Sequence, residues 1–167
     1  SAFIPVFSEY LSKGEEEDAH RMASTLLAAG LGLFTIFSLI LVIWASQILS
    51  IFNGGQNFSA ADMGLMANLM RIIIIGQFIY IIGTFFSAML QSYNHFFIPG
   101  IAAAFYNVGI ILGIILFHQY VGIYALPFGV VMGAIIFVIF QIPLAKKVGF
   151  SFRPTINFLR SPGLHRV

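Results

Sequence analysis

The chain has 167 residues, of which 59% are apolar and 8% charged, with a mean hydropathy of +0.97 and a formal net charge of +2. A soluble globular domain carries roughly 25% charged residues, so this composition excludes one and points to a membrane protein. Cys is absent, which rules out disulfides and thiolate metal sites, and no basic patch interleaved with aromatics speaks for nucleic acid.

The charges are grouped: none lies between Met22 and Ala61, and none from Ile72 through Ala145. Crossing the hydrocarbon takes ~20 apolar residues at 1.5 Å of rise each, so the first stretch has room for one span and the second for about three. The predicted fold class is an all-α integral membrane bundle with four complete transmembrane helices plus the end of a fifth. The opening run, residues 1–11, is too short to span alone. It lacks the basic flank and small-residue cleavage site of a secretory signal, and reads as the end of a helix that begins upstream.

Ser12-Lys13-Gly14-Glu15 fits the S-x-x-E capping box and predicts a helix start near Lys13, with Glu15, Glu16, Glu17 and Asp18 in a first turn where carboxylates suit the helix dipole. Residues 12–24 read as a cytoplasmic loop and charged first turns. The first complete span is predicted over about 25–48, within one helix reaching Phe52, and Trp44 near its far end suits an interfacial belt. The run NGGQN, Asn53 to Asn57, is a turn signal, and Ser59-Ala60-Ala61-Asp62 offers the next helix start.

The second span is predicted over about 69–90, followed by QSYNHFF as a short polar turn. Pro99 falls in the first turn of the third span, about 98–117, where its missing N–H is harmless. After HQYVG, the fourth span covers about 123–145. Pro127 and Pro143 predict local kinks there, and Lys146 and Lys147 close it as cations at a helix C-terminus. Residues 146–167 read as a basic cytoplasmic segment.

Orientation follows from the basic residues. With four spans both flanks share a side, and these flanks hold Lys13, Arg21, Lys146, Lys147, Arg153, Arg160 and Arg166, leaving only Arg71 for the other face. Acidic residues contribute little to the positive-inside rule, so both flanks are assigned to the cytoplasm.

Small and polar residues inside the spans carry the rest of the signal. Gly109 and Gly113 form one GxxxG spacing and Gly129 and Gly133 a second, while Gly76 and Gly83 lie seven apart in the second span. Such glycines share a helix face and let another backbone approach closely, either inside one bundle or across a dimer. Arg71 has two readings: an anchor snorkelling to the outer interface, or a cation facing a polar cavity that takes an anionic head group. Gln77, Asn107 and Gln141 are costly against lipid and are expected to point into the bundle, bonding between helices or lining a cavity. His95 and His118 fall in predicted turns with no second ligand at i+3 or i+4, so no metal site is expected. No nucleophile triad or phosphate-cradling Gly loop occurs. No catalytic residue and no cofactor is therefore assigned, and moving a substrate is favoured over transforming one.

The ordered set FIPVFSEY, SAMLQSYNHFFIPGIAAAFYNVGIILG and GIYALPFGVVMGAIIFVIFQIPLAKKVGF resembles the MviN/MurJ family of lipid II flippases, within the superfamily of multidrug, oligosaccharidyl-lipid and polysaccharide exporters. The resemblance runs through nearly the whole chain. It implies fourteen helices in two lobes around a cationic cavity, with alternating access that carries an undecaprenyl-linked peptidoglycan precursor to the outer leaflet of the bacterial plasma membrane. This chain would match the end of helix 2 through helix 6, a fragment of the N-terminal lobe. Its implied partners are the lipid-linked precursor, the bilayer and the remaining helices of the full-length protein. A flippase for other polyprenyl-linked saccharides, a drug exporter, or a bundle that transports nothing are the alternatives.

Overall fold

The computed structural model of the chain describes residues 3–52 and 58–152. The NGGQN turn and the basic residues Arg153, Arg160 and Arg166 lie outside the described residues. All the regular structure within them is helical: α1 (Phe3–Ser12), α2 (Glu16–Ile43), α3 (Ala45–Phe52), α4 (Ala60–Ser92), α5 (Phe97–Val121) and α6 (Ala125–Lys147), with a 3-10 turn at Gly122–Tyr124.

Three stretches are long and apolar enough to cross a bilayer: Glu16–Ile43, Ala60–Ser92 and Phe97–Lys147. The last has 51 residues, about 75 Å if straight, against ~30 Å of hydrocarbon. It is two helices folded back at Gly122, since Gly109 of α5 meets Gly133 of α6 while Gly113 meets Gly129. Four antiparallel helices thus cross the bundle, and α1 packs beside α2 and α4.

Burial differs from that of a soluble domain. Beside a cluster of Phe7, Met22, Met89 and Leu90, the interior holds small and polar residues, Ala23, Ala67, Ala102, Ala134, Ser24, Thr25 and Gln141, while Leu33, Ile36, Phe37, Ile111 and Ile115 are exposed. Lipid tails are as apolar as Leu, so bringing Leu together gains little in a membrane. Close packing of small residues and satisfied polar groups hold such helices instead.

The helix ends differ from several sequence expectations. Ser12 caps nothing: its Oγ donates to the Glu9 carbonyl at 2.8 Å, and it closes α1 rather than opening α2. Gly14, at φ +76°, explains why. It is the left-handed residue of a Schellman cap, in which Glu15 N–H donates to Tyr10 O at 3.0 Å and Gly14 N–H to Leu11 O at 3.1 Å. The chain therefore turns here, and α2 starts at Glu16 instead of Lys13. The helix start expected at Ser59 does form, and it is a capping box, with Ser59 Oγ accepting from the Asp62 N–H at 3.2 Å and the Asp62 carboxylate accepting from the Ser59 N–H at 3.1 Å.

The first complete span is interrupted: α2 ends at Ile43, Trp44 leaves helical geometry at φ −99° and ψ 21°, and α3 resumes at Ala45. The third helix continues through His118 to Val121, past the expected end near Phe117, because no helix-breaking residue precedes Gly122. Likewise Gln91 and Ser92 belong to α4, so the polar turn is only Tyr93–Phe96. Pro99 and Pro127 both sit in first turns, and Pro143 lies inside α6.

Two more Schellman caps close α4 and α6 at the end where α1 closes. Asn94, at φ +61°, allows His95 N–H to reach Leu90 O at 2.9 Å, and Gly149, at φ +75°, allows Phe150 N–H to reach Ala145 O at 3.2 Å. One end of the bundle, which we term the capped end, therefore has all three of these helix stops. The other, the far end, contains the Trp44 break and the α5–α6 turn.

Candidate functional site

The glycine seam is the tightest part of the molecule. A Cβ at Gly109 would lie 2.6 Å from the Gly133 Cα, and one at Gly129 would lie 2.6 Å from the Ile110 carbonyl oxygen. At Gly113 the obstacle is the Gly129 Cα itself. All four positions are buried. On α4, Gly83 receives the Phe137 ring and Gly76 faces Val130 of α6, where a Cβ would meet Cγ1 at 3.0 Å. The six glycines thus serve contacts within one chain.

Gln141 of α6 is fully buried and completely engaged. Its Nε2 donates to Gly83 O at 3.2 Å and Phe137 O at 3.0 Å, and its Oε1 accepts from Ser87 Oγ at 2.9 Å. The close approach at Gly83 makes that carbonyl reachable, so the small residue and the amide form one joint between α4 and α6. Beside it the rings of Tyr80, Tyr106 and Phe137 meet, with centroids 4.8 Å apart for Tyr80–Tyr106 and 5.2 Å for Tyr80–Phe137. Gln77, half-buried, lies beside Tyr106 at the edge of this cluster.

Arg71 is half-buried rather than free. Its Nε donates to the Val42 carbonyl at 3.3 Å and its NH1 to Asn68 Oδ1 at 2.9 Å. Val42 belongs to the last turn of α2, whose carbonyls lose their intrahelical donors where the helix ends, and a cation there also suits the dipole. Arg71 thus stitches α4 to the Trp44 break, a role that neither sequence reading contained.

Asn107 sits apart from the seam between α5 and α6. It is exposed, and its Nδ2 donates only along its own helix, to Ala103 O at 3.3 Å. The reason is that α5 turns one face to α6 through Gly109 and Gly113, and Asn107 lies on another. Arg71, Gln77 and Asn107 therefore do not converge on one pocket within this chain. Lys146 and Lys147 are exposed in the last turn of α6.

At the capped end sequence reading missed a cluster. His20 Nε2 lies 2.7 Å from the Tyr93 hydroxyl, and the imidazole stacks over Phe7 with centroids 6.2 Å apart and meets Phe150 edge-on at 5.5 Å. Four segments meet on one side chain: α1, α2, the α4–α5 turn and the residues after α6. Burial and the nearby Glu16 carboxylate push the Tyr93 phenol up to about 12, so it stays protonated. The signal in the sequence was faint, namely Asn94 and Gly149, which turn Tyr93 and Phe150 inward. Among the described residues no group of three or more His, Asp or Glu could hold a metal ion.

This architecture is an α-helical membrane bundle, and comparison with known proteins agrees with it. The family model described as "Lipid II flippase MurJ" matches residues 1–167. A relative from Borreliella burgdorferi named "Probable lipid II flippase MurJ" is 30% identical over 95% of this chain and 30% of its own length. One of the same name from Buchnera aphidicola subsp. Schizaphis graminum is 27% identical over 99% of this chain and 32% of its own. The "Lipid II flippase MurJ" of Burkholderia cenocepacia is 26% identical over 99% of this chain and 33% of its own. The chain spans about one third of the length of these curated relatives, and with a family match across all 167 residues it belongs to the lipid II flippase MurJ family.

Proposed function

We propose that this chain is part of a transporter that moves lipid II, the undecaprenyl-linked peptidoglycan precursor, from the inner to the outer leaflet, without covalent chemistry. The observation that carries this reading is the family match through every residue, together with relatives named for that activity. The rest of the full-length protein supplies the second wall of the cavity and the partners of the exposed α5 face.

Lys13, Arg21, Lys146 and Lys147 all lie at the capped end, which supports its assignment to the cytoplasm. Arg71 then lies toward the outer half of the membrane. Two of its nitrogens are engaged with Val42 and Asn68, and a guanidinium carries five N–H donors. It retains capacity to meet a phosphate oxygen as the head group leaves. Gln77 and Asn107 are assigned to polar surfaces that face the remaining helices.

The test is rescue of a bacterial strain depleted of its own lipid II flippase by the full-length gene that encodes this chain. Restored growth and restored appearance of lipid II in the outer leaflet are expected. No rescue at normal membrane abundance, with export of another lipid-linked saccharide or of cationic drugs, overturns the reading. Arg71→Gln is expected to lower the flipping rate several-fold while Arg71→Lys retains part of it; equal rates for both variants and wild type would remove Arg71 from the substrate path.

A further inference from the structure

The capped end contains a titratable group whose seat depends on a short strap. After α6, the Schellman turn at Gly149 directs Phe150 back over the bundle, where its ring lies 5.5 Å from His20, 5.8 Å from Phe85 and 6.0 Å from Phe86. Ser24 Oγ reaches the Ser151 carbonyl at 3.5 Å. Among the described residues the strap, 148–152, is held by the packing of Val148 and Phe150 against the core, a long hydrogen bond from Ser24 and its own cap.

Beneath it lies a cavity of about 350 Å³, lined by Glu16, Glu17, His20, Arg21, Gly149 and Ser151. His20 belongs to the charged turns of α2 that precede the apolar stretch from Met22, so it stands outside the hydrocarbon and within reach of protons through this opening. From these neighbours we infer that His20, Tyr93 and Phe150 form a proton-sensitive latch, which holds the strap down while the imidazole is neutral and lets it lift when the imidazole is charged.

The physical account begins with the hydrogen bond. With Nε2 unprotonated, the Tyr93 hydroxyl donates to it; a charged ring would reverse the bond, so this contact survives either way. Burial decides the sign. Under the strap the imidazole is packed against Phe7, Tyr93 and Phe150, and loss of water disfavours its charged form, with the Glu16 carboxylate opposing weakly. Among the described residues the charged groups that line the cavity beside it are on α2: Glu16 and Glu17, with Arg21 beside them, the last in an ion pair with Glu17 at 3.4 Å. The α4–α5 turn contributes the Tyr93 phenol, which stays protonated, and α1 and the strap contribute Phe7 and Phe150.

Lifting the strap returns water to the ring and restores its ordinary value. The open form therefore binds more protons than the closed one. The preference for the closed form is full above an ordinary imidazole value of about 6.5 and fades as pH falls from there through the lowered value. The latch links proton uptake on this face to freedom of the chain that follows α6, and it does not rest on which lipid the full-length protein carries.

The experiment is hydrogen–deuterium exchange on the full-length protein in lipid nanodiscs, between about pH 7.5 and about pH 5.5, the window around imidazole titration. The Gly149 and Phe150 amides, bonded to Lys146 O and Ala145 O when the strap is down, are the reporters, after correction for the intrinsic pH dependence of exchange. Several-fold faster corrected exchange is expected at the lower pH. His20→Gln, which can still accept from Tyr93, should abolish the difference; an unchanged pH response in that variant, or no response in the wild type, overturns the latch. Should His20→Gln fail to fold, Glu16→Gln takes its place: it removes an exposed carboxylate that favours the charged ring, so the midpoint should move to lower pH. A midpoint that does not move also overturns it.

Discussion

The two sides of α4 are built to different standards. Toward α6 and α5 the packing is tight: glycines touch backbone, Phe137 fills the notch at Gly83, and Gln141 has a partner for every atom it can bond with. Toward α2 the fit is loose, with a cavity of about 380 Å³ bounded by Thr35, Ser38 and Val42 on one helix and Ile74 and Phe78 on the other. Nearer α1 a second, of about 310 Å³, is bounded by Gly30 and Thr84 among others. In a medium where apolar area gives little drive between helices, packing decides what is rigid. The contrast implies that α4, α5 and α6 move as one body, whereas α2 can shift against them at modest cost.

The sharpest way to break that contrast is to wedge the tight side. Gly113→Leu puts a branched side chain where the Gly129 Cα already sits, and backbone cannot yield as a side-chain tip can. Overpacking of this kind costs about 3 kcal/mol, so the full-length protein is expected to unfold at markedly lower detergent denaturant than wild type. The matching change on the loose side, Gly30→Leu, meets open space around its Cβ and should be tolerated. Equal losses from the two would erase the distinction between the interfaces.

A smaller effect tests whether polar bonding or shape holds α4 to α6. Gln141→Leu keeps most of the volume but strips Ser87 and the Gly83 carbonyl of their partner. An interhelical hydrogen bond in a membrane is worth about 0.6 to 2 kcal/mol. A loss of about 1 kcal/mol is expected in the same unfolding measurement. No loss would mean that the fit of Phe137 into Gly83 accounts for this joint by itself.

How far the chain could be read in advance follows the same division. The tight side was legible because its determinants are periodic: Gly109, Gly113, Gly129 and Gly133 announce a common face at spacing four, and a lone Gln in an apolar helix has to be buried with partners. What was not legible depended on geometry that periodicity does not record. Ser12-Lys13-Gly14-Glu15 satisfies a capping pattern, yet Gly14 can adopt positive φ, and the same residues instead formed the stop of the preceding helix. The break at Trp44 has neither Gly nor Pro to mark it. Its partner Arg71 is distant in sequence, so local pattern leaves an anchor and a cavity cation both open and does not reveal the helix end at Val42. The polarity of Asn107 does not say which face of α5 meets α6. The His20 cluster draws on four separate segments and left no local trace beyond its turn residues.

The mildest test concerns the loose side itself. Ser38 Oγ is closed off from solvent and has no hydrogen-bond partner among the described residues, while Thr35, one turn earlier, bonds its hydroxyl back to Leu31 O at 2.7 Å. Ser38 lines the larger cavity, where an unpaired hydroxyl costs free energy and neighbouring Ile74, Ile75 and Phe78 offer no acceptor side chain. If the gap between α2 and α4 is dry and only loosely filled, Ser38→Ala removes that cost and leaves the packing intact. The variant of the full-length protein should then be as stable as wild type or more so by about 0.5 to 1 kcal/mol. A loss of stability would show that Ser38 has found a partner, water or a helix from the rest of the protein, and that this side of α4 is held more firmly than its cavities imply.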